Sequence, residues 1–296
     1  MASPFIYLPQ RAVLSLSGPD TITLLERLVT HATNDWEVGT TRYGALLTPQ
    51  GKVLSDYLAI RTETGVLLDT AAEFANDLAK RLKMFRLRSQ VEIERLEDTV
   101  IAACIEPASE AVEAPDGADR VYLDHRYPDD RQRVLMSREN RIAARSVKLE
   151  DDAQALAAYH ADRIAHSVPE QGLDFGTADV FPADINMDVL DGVALNKGCF
   201  VGQEVVSRMH RRGKIRKRTL PVKLASLGKV EAGDSLLAPA PIGEVTSVQD
   251  TQALARIRID RWQKAEADQS AIVINETPVT IAKPDWLVAE LNAKTD

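Results

Sequence analysis

The order of apolar and polar residues divides the chain into two regions of different character. Before residue 217, segments with strand alternation, such as Val13–Ser17, are interrupted by segments with helical spacing. Ile22, Leu25 and Leu28 share one face of a predicted helix, and Ala72–Leu87 repeats that spacing over a longer stretch. Strands and helices mixed in this order predict an α+β domain with a mostly antiparallel sheet.

The same region contains further strand signals separated by turn-forming residues. A hairpin is predicted around the P-Q-G-K turn at residues 49–52, because alternating segments flank it on both sides. An acidic stretch at 106–119 has few large apolar groups and predicts an exposed loop. The predicted strands are 42–48, 53–61, 91–95, 99–105, 120–124 and 131–137, and Asp151–His166 is predicted to be a helix.

From Thr219 onward the pattern changes to short strands separated by Gly, Pro and Asp, and none of these segments is clearly helical. Such spacing is typical of a small closed or sandwich-like β domain. We therefore predict two domains, residues 1–217 and residues 218–296.

Composition limits the class of protein. The chain has 296 residues, 45% of them apolar and 27% charged, which is the balance of an ordinary globular protein. Its net charge of −8 argues against general binding of polyanions. The first residues lack a basic and apolar leader, and no stretch approaches the roughly 20 apolar residues of a membrane span. These features predict a cytoplasmic protein that is not inserted in a membrane.

The two cysteines occur in different contexts, and free thiols in a reducing compartment are the simplest interpretation. Cys104 lies in an apolar segment and is predicted to belong to the core. Cys199 follows Lys197 by two residues and stands between Gly198 and Gly202, ahead of a helix predicted from Gln203. A helix N-terminus and an ammonium both favour thiolate over thiol, so Cys199 is either a reactive thiol or a small core residue.

The segment K-G-C-F-V-G-Q-E at 197–204 has F-P-A-D-I-N upstream at 181–186 and R-G-K-I-R-K-R downstream at 212–218. This combination resembles the YgfZ family of folate-binding proteins, which belongs to the superfamily of the glycine-cleavage T-protein. The resemblance implies a T-protein-like α+β domain followed by a C-terminal β-barrel. It also implies binding of tetrahydrofolate or another reduced folate, and a role in assembling or repairing iron–sulfur clusters of client proteins, including enzymes that modify tRNA.

The resemblance also assigns roles to residues. Cys199 and Lys197 would form the reactive group, and Asn186, Gln203 and Arg208 would contact the folate. T-proteins carry a G-x-x-x-D-D motif, whose counterpart here is G-K-V-L-S-D at 51–56. That counterpart retains only the second acidic residue, Asp56, which would either lie near the folate or cap a strand. Arg163 matches an arginine of the family without the acidic residue that follows it, and it would bind folate or pair with a helix neighbour.

Seven of the eleven residues from 208 to 218 are Lys or Arg, and we call this segment the basic strip. It would be a solvated linker, a seat for the glutamate tail of a folate, or a nucleic-acid contact. The last use is disfavoured, since the strip has no aromatic residue to stack on bases. The five histidines are scattered, so no metal site is predicted. The alternative to an accessory protein is a folate-dependent aminomethyltransferase or demethylase, and the sequence leaves open whether any reaction is catalysed.

Overall fold

The computed structural model describes residues 5–110, 113–143, 152–211 and 215–292. The helices are α1 (Thr21–Leu28), α2 (Ala72–Arg86), α3 (Arg138–Ala143), α4 (Ala153–Ala165), α5 (Gln203–Arg211), α6 (Ile259–Ala267) and α7 (Asp285–Asn292). The strands are β1 (Phe5–Tyr7), β2 (Arg11–Ser17), β3 (Thr41–Leu47), β4 (Val53–Arg61), β5 (Gly65–Ala71), β6 (Glu92–Arg95), β7 (Thr99–Pro107), β8 (Arg120–Asp124), β9 (Arg131–Ser137), β10 (Lys217–Leu224), β11 (Ser235–Leu237), β12 (Pro241–Gln249), β13 (Gln252–Arg258), β14 (Val273–Ile274) and β15 (Thr277–Ile281).

Two antiparallel sheets form the first part of the molecule. One has the strand order β3-β4-β5-β2-β6, and the other has the order β1-β7-β9-β8. The predicted hairpin is confirmed as β3 and β4, and the predicted strands at 120–124 and 131–137 are confirmed as β8 and β9. The third architectural unit is a closed barrel of β10-β13-β12-β11-β14-β15, as predicted for the C-terminal part.

Strand β4 is buried on both faces, and alternation along it sorts its residues between two cores. Leu58 and Ile60 face a core between the two sheets, whereas Tyr57 and Ala59 face a second core under α1 and α2. Asp56 has the parity of Leu58 and Ile60. Its side chain therefore points into the layer between the sheets, which is where the principal polar cluster of the molecule lies.

The barrel domain begins at Lys217, next to the predicted division at 217/218, and the division itself stays a prediction. Its core has Trp262 and Leu287 among its fully buried residues. Both residues belong to helices, α6 and α7, which lie outside the predicted short strands and were not themselves predicted. The apolar residues of these helices cover the barrel, and a single packed face on a helix of eight or nine residues gives little periodic signal in the sequence.

Candidate functional site

Asp56 is the first acidic residue of the polar cluster between the sheets. The Tyr43 hydroxyl donates to its Oδ2 atom at 2.9 Å, and the Asp56 backbone N–H donates to Gln171 Oε1 at 3.3 Å. Its Oδ1 atom is buried and has no hydrogen-bond partner among the described residues. Burial raises the pKa of the Asp56 carboxyl, against the opposing effect of Arg11 and Arg126. The interpretation of Asp56 as a solvated or capping residue is therefore wrong.

Ser55, which stands where T-proteins have the first acidic residue, points away from this cluster. It pairs across the sheet with Leu46, a residue of the core under the helices, whereas Asp56 pairs with Ala45 in the core between the sheets. Adjacent strand residues face opposite sides of a sheet. The departure from the T-protein motif therefore leaves the inter-sheet face with its carboxylate.

Asp69 on β5 holds the two sheets together. Arg11 Nε donates to its Oδ1 atom at 2.6 Å, while Tyr122 and Arg133 from the other sheet donate to its Oδ2 atom, each at 2.8 Å. All four side chains are buried. Because both carboxylate oxygens are satisfied within the protein, we assign Asp69 to the architecture of the site.

Glu170 is a third acidic residue of the cluster. It lies beyond α4 and accepts a hydrogen bond from the Tyr159 hydroxyl, whereas its Oε2 atom is buried without a partner among the described residues. Burial raises its pKa, but Arg11, Arg163 and Arg133 outweigh burial and lower the pKa to about 2. Glu170 is thus an anion with one oxygen unsatisfied. Sequence reasoning missed it, because no local pattern marks it.

Arg163 does not reach the polar cluster as a free cation. Its guanidinium donates to Asp174 Oδ2 at 2.6 Å and to Ser247 Oγ on β12 at 2.8 Å, and the residue is buried. Arg163 therefore joins α4 to the barrel. The alternative of an ion pair on the helix surface is wrong, and the folate contact stays a prediction.

Asn186 likewise uses its side chain inside the protein. Its Nδ2 atom donates to the backbone oxygens of Ser167 and Thr219, at 3.2 and 2.6 Å, and its Oδ1 atom accepts the Thr219 N–H at 3.2 Å. The residue is buried, with a φ of 64° that asparagine tolerates better than most residues. Asn186 connects the loop before α5 to the barrel, and its contact with folate stays a prediction.

The Cys199 segment is a separate surface feature. Cys199 is exposed, whereas Phe200, the next residue, is buried in the inter-sheet core. Gly202 has a φ of 81°, and a Cβ atom there would lie 2.6 Å from the Thr48 backbone oxygen. Glycine is therefore required for the close approach of this segment to the β3–β4 turn. The result is a thiol exposed on a rigidly supported segment.

Lys197 anchors the segment that carries the thiol. Its Nζ atom donates to the backbone oxygens of Val29 and His31, at 3.0 and 2.7 Å, and lies 3.4 Å from Glu26 Oε2. Burial lowers its pKa, while Glu26 acts in the opposite direction. The ammonium thus anchors the segment on the end of α1, and its effect on the Cys199 thiolate stays a prediction.

Cys199 and Gln203 line an open depression of about 470 Å³ together with Ser207, His210 and Arg211. The Gln203 side chain donates to the Lys197 backbone oxygen at 3.3 Å, which helps to hold the turn. Arg208 is exposed and makes an i,i+4 pair with Glu204, at 3.5 Å. Gln203 therefore lies beside the thiol and not beside Asp56, so the structure does not bring the predicted folate residues together. Within the described ranges, no group of three His, Cys, Asp or Glu residues could hold a metal ion.

The basic strip does not form one surface. Arg208 and Arg211 lie on α5, whereas Arg216 and Lys217 line a cleft of about 550 Å³ beside the barrel, which we call the basic cleft. Arg218 is buried and pairs with Asp188 and Glu290, at 2.6 and 2.7 Å. The basic cleft is also lined by Lys52, Arg256, Arg258 and Arg261. Arg212, Gly213 and Lys214 lie outside the described residues.

The fold and its final domain define the class of protein. The chain is similar to the crystal structure of glycine cleavage system aminomethyltransferase T from Bartonella henselae, with a TM-score of 0.69 over 94% of this chain and 84% of that one. Their identity is 15%, so the likeness concerns the fold alone. Residues 216–289 match the family model of the CAF17 C-terminal β-barrel domain. The molecule therefore has a T-protein-like fold with a barrel of the CAF17 type.

The relatives by sequence are iron–sulfur cluster assembly factors named mitochondrial IBA57 homologs. The one from Coccidioides immitis is 30% identical over 240 residues, which are 74% of this chain and 56% of that protein. The one from Mycosarcoma maydis is 31% identical over 74% of this chain and 57% of its own length. The chain is thus IBA57-like and spans less than two thirds of the length of these relatives. The YgfZ resemblance therefore holds only coarsely, as a resemblance to iron–sulfur cluster assembly factors with a T-protein-like fold.

The names of these relatives contradict the predicted cytoplasmic location and point to the mitochondrion. Proteins of the cytosol and of an organelle interior both fold in water, so a soluble composition does not separate the two compartments. None of the helices in the described part of the chain combines the length and apolar character needed to cross a bilayer.

Proposed function

We propose that this chain acts in iron–sulfur cluster assembly and that Cys199 contacts the cluster. The similarity to IBA57 homologs over about three quarters of the chain supports the process. The observation that carries the assignment of Cys199 is its exposure on a segment fixed by buried Lys197 and Phe200. A stable cluster takes about four protein ligands, so one thiol supplies only part of the set. A cluster would therefore be shared with a partner protein.

Complementation of a fungal strain that lacks its IBA57 homolog tests this proposal. We expect the wild-type chain, directed to the mitochondrion, to restore the activity of iron–sulfur enzymes, and Cys199→Ser to fail although it folds. The matched control is Cys104→Ala, which removes the other thiol from the core. Full restoration by Cys199→Ser would contradict a role for this thiol.

We further propose that the polar cluster between the sheets binds a reduced folate, as the YgfZ resemblance implies. The unsatisfied acceptors Asp56 Oδ1 and Glu170 Oε2 support this proposal. A pterin edge carries N–H donors, and donors satisfy buried acceptors that are otherwise costly to bury. Arg163 and Asn186 are committed to protein partners, so this proposal rests on Asp56 and Glu170. When bound, tetrahydrofolate supplies a carrier for one-carbon units.

Titration calorimetry with tetrahydrofolate tests folate binding separately from cluster assembly. We expect saturable heat with the wild-type chain and a loss of affinity of about tenfold or more for Asp56→Asn, since the amide replaces an acceptor by a donor. Cys199→Ser should bind folate as the wild type does. Absence of heat with the folded wild-type chain would refute the folate proposal and leave the cluster proposal standing.

A second candidate function is aminomethyl transfer or demethylation with folate as the acceptor of the one-carbon unit. The observation in its favour is that Asp56 remains on the inter-sheet face, because the altered position, Ser55, faces the other way. Turnover of an aminomethyl or methylamine donor in the presence of tetrahydrofolate, abolished in Asp56→Asn, would establish this activity. Folate binding without turnover would favour the accessory role.

A further inference from the structure

We propose that the C-terminal end of α2 and the residues that follow it form a docking site for an acidic, amphipathic segment of a partner protein. We call this surface the α2 tip and define it by residues 80–89. The inference goes beyond the proposed function, because it uses neither Cys199 nor the polar cluster.

The α2 tip exposes a concentration of large apolar side chains. Met84 is 67% exposed, Phe85 40% and Leu87 86%. These are three of the eight exposed large apolar residues found in the described ranges, and they occur within four consecutive positions. Helical spacing aligns Phe85 with the buried Leu78 and Leu82, but the helix runs past the edge of the core before it reaches Phe85. Contiguous exposed apolar groups of this kind mark interaction sites.

The backbone at Leu87 shows that the exposed leucine is costly. Leu87 follows the last residue of α2 with a φ of 49°, in the region that favours glycine. Glycine is the usual residue at this position after a helix, because it adopts positive φ without a steric penalty. A leucine here strains the chain and buries nothing of its own. The side chain is therefore better explained by a contact outside the chain.

Charge indicates what kind of partner the site accepts. Five of the nine residues from 80 to 88 are Lys or Arg and none is acidic, in a chain of net charge −8. Arg81 pairs with Asp77 at 2.5 Å, and Arg86 donates to the Val91 backbone oxygen at 2.8 Å. Lys83 and Arg88 are exposed, and the described residues give them no ion-pair partner. An acidic segment would satisfy these two cations.

The shape of the surface favours a protein segment over a lipid bilayer. Phe85, Leu87 and Arg88 line a depression of about 720 Å³ together with Thr23 and Arg27 of α1. Asp20, also on its wall, accepts the Gln90 backbone N–H at 2.7 Å. A concave surface takes inserted side chains, as helix-in-groove complexes do. An anionic membrane would attract the cations of the α2 tip but would repel the net negative remainder of the chain.

The experiment uses a fluorescein-labelled helical peptide of about 15 residues with a Leu/Phe face and a Glu face. We expect saturable binding by fluorescence anisotropy, weakened by about tenfold or more in Leu87→Gly and in Lys83→Glu with Arg88→Glu. Leu87→Gly should keep or raise the melting temperature, because it relieves the strained backbone. Lost binding with retained stability is the signature of a docking residue.

Two matched control variants change exposed residues of the barrel domain. They are Leu227→Ser and the double variant Lys229→Glu with Lys264→Glu, and both should bind the peptide like the wild type. A peptide with lysine in place of glutamate should not bind. The proposal is overturned if the acidic peptide fails to bind, if the tip variants bind as well as the controls, or if only phosphatidylserine-containing vesicles bind. That last result would identify a membrane surface instead.

Discussion

At the residue scale, Asp56 and Glu170 are buried in the same polar cluster, yet their surroundings shift their pKa values in opposite directions. Asp56 is dominated by burial, which raises its pKa, and it receives a hydrogen bond from one tyrosine. For Glu170, burial is outweighed by three arginines, and the pKa falls to about 2. Two acids of similar exposure can therefore make opposite contributions to stability, depending on how many cations face each one.

The first prediction follows from these shifts. The raised pKa of Asp56 means that the native state binds more protons than the unfolded chain, so the unfolding free energy falls as pH rises above 3.8. Replacing Asp56 by asparagine removes this loss. Asp56→Asn should therefore raise the unfolding free energy at pH 7. The lowered pKa of Glu170 stabilises the native state fully above pH 4.5, and this stabilisation is lost as pH falls toward 2. Glu170→Gln should therefore lower the unfolding free energy at pH 7 by about 3 kcal/mol.

Urea unfolding at pH 7 and pH 3 measures both effects. The gain in Asp56→Asn should disappear at pH 3, where the wild-type carboxyl is protonated, and the deficit in Glu170→Gln should shrink. Shifts of the same sign in the two variants at pH 7 would contradict the assigned environments.

The second prediction concerns the thiols. Cys199 is exposed, whereas Cys104 is buried and burial raises its pKa, which lowers its thiolate fraction. Iodoacetamide should therefore alkylate Cys199 well before Cys104 in the native protein, as followed by peptide mass spectrometry. Cys199→Ser should change stability by less than about 0.5 kcal/mol, whereas Cys104→Ser should cost about 1–3 kcal/mol. Faster labelling of Cys104 would contradict the exposure of Cys199 in solution.

At the element scale, α4 is fixed to the barrel through Arg163. Its partner Asp174 also accepts hydrogen bonds from Thr246 and Ser247 of β12, at 2.6 and 2.7 Å. The helix, the loop after it and a barrel strand therefore share one buried polar joint. The joint also includes Glu170, whose backbone N–H donates to Asp174 Oδ2 at 2.9 Å.

The third prediction separates this joint from ligand binding. Arg163→Met should lower the unfolding free energy by about 3–5 kcal/mol, because Asp174 loses its buried cation. Arg208→Met, which removes an exposed arginine with a pair at 3.5 Å, is the matched control and should cost less than about 1 kcal/mol. At temperatures where both variants are folded, calorimetry should show that each binds folate with the affinity of the wild type. A selective loss of folate affinity in Arg163→Met would restore the predicted binding role.

At the scale of the whole molecule, the basic cleft lies where strand β10 of the barrel meets the loop that precedes the short 3-10 helix Pro182–Ile185. Its lining comes from both parts of the chain, since Lys52 and Phe181 belong to the first part and Arg256 to the barrel. Lys52 Nζ lies 4.4 Å from the centre of the Phe181 ring. Tertiary structure thus gathers cations that are far apart in sequence, and it divides the basic strip between two surfaces.

The fourth prediction tests whether the basic cleft holds an anionic tail. Arg216→Gln with Lys217→Gln should weaken binding of polyglutamylated folate more than binding of the monoglutamate, and the difference should diminish at high salt. The control is Arg208→Gln with Arg211→Gln on α5, which should leave both affinities unchanged. Equal effects on the two folates would show that the basic cleft does not hold the glutamate tail. An effect of the α5 variant alone would place the tail at α5.

The amino-acid sequence by itself determined the local elements, because the periodicity and turn residues of the β3–β4 hairpin, α2, β8 and β9 act over a few neighbouring positions. It also identified Cys104 as a core residue and the last part of the chain as a small β domain, closed or sandwich-like, which the structure shows to be a closed barrel. Tertiary structure alone decided which polar groups meet. Glu170 joins Asp56, Lys197 turns to Val29 and His31, and Arg163 and Asn186 bind protein partners. Such pairings depend on contacts between residues distant in sequence, and those contacts exist only once the two sheets and the barrel have packed together.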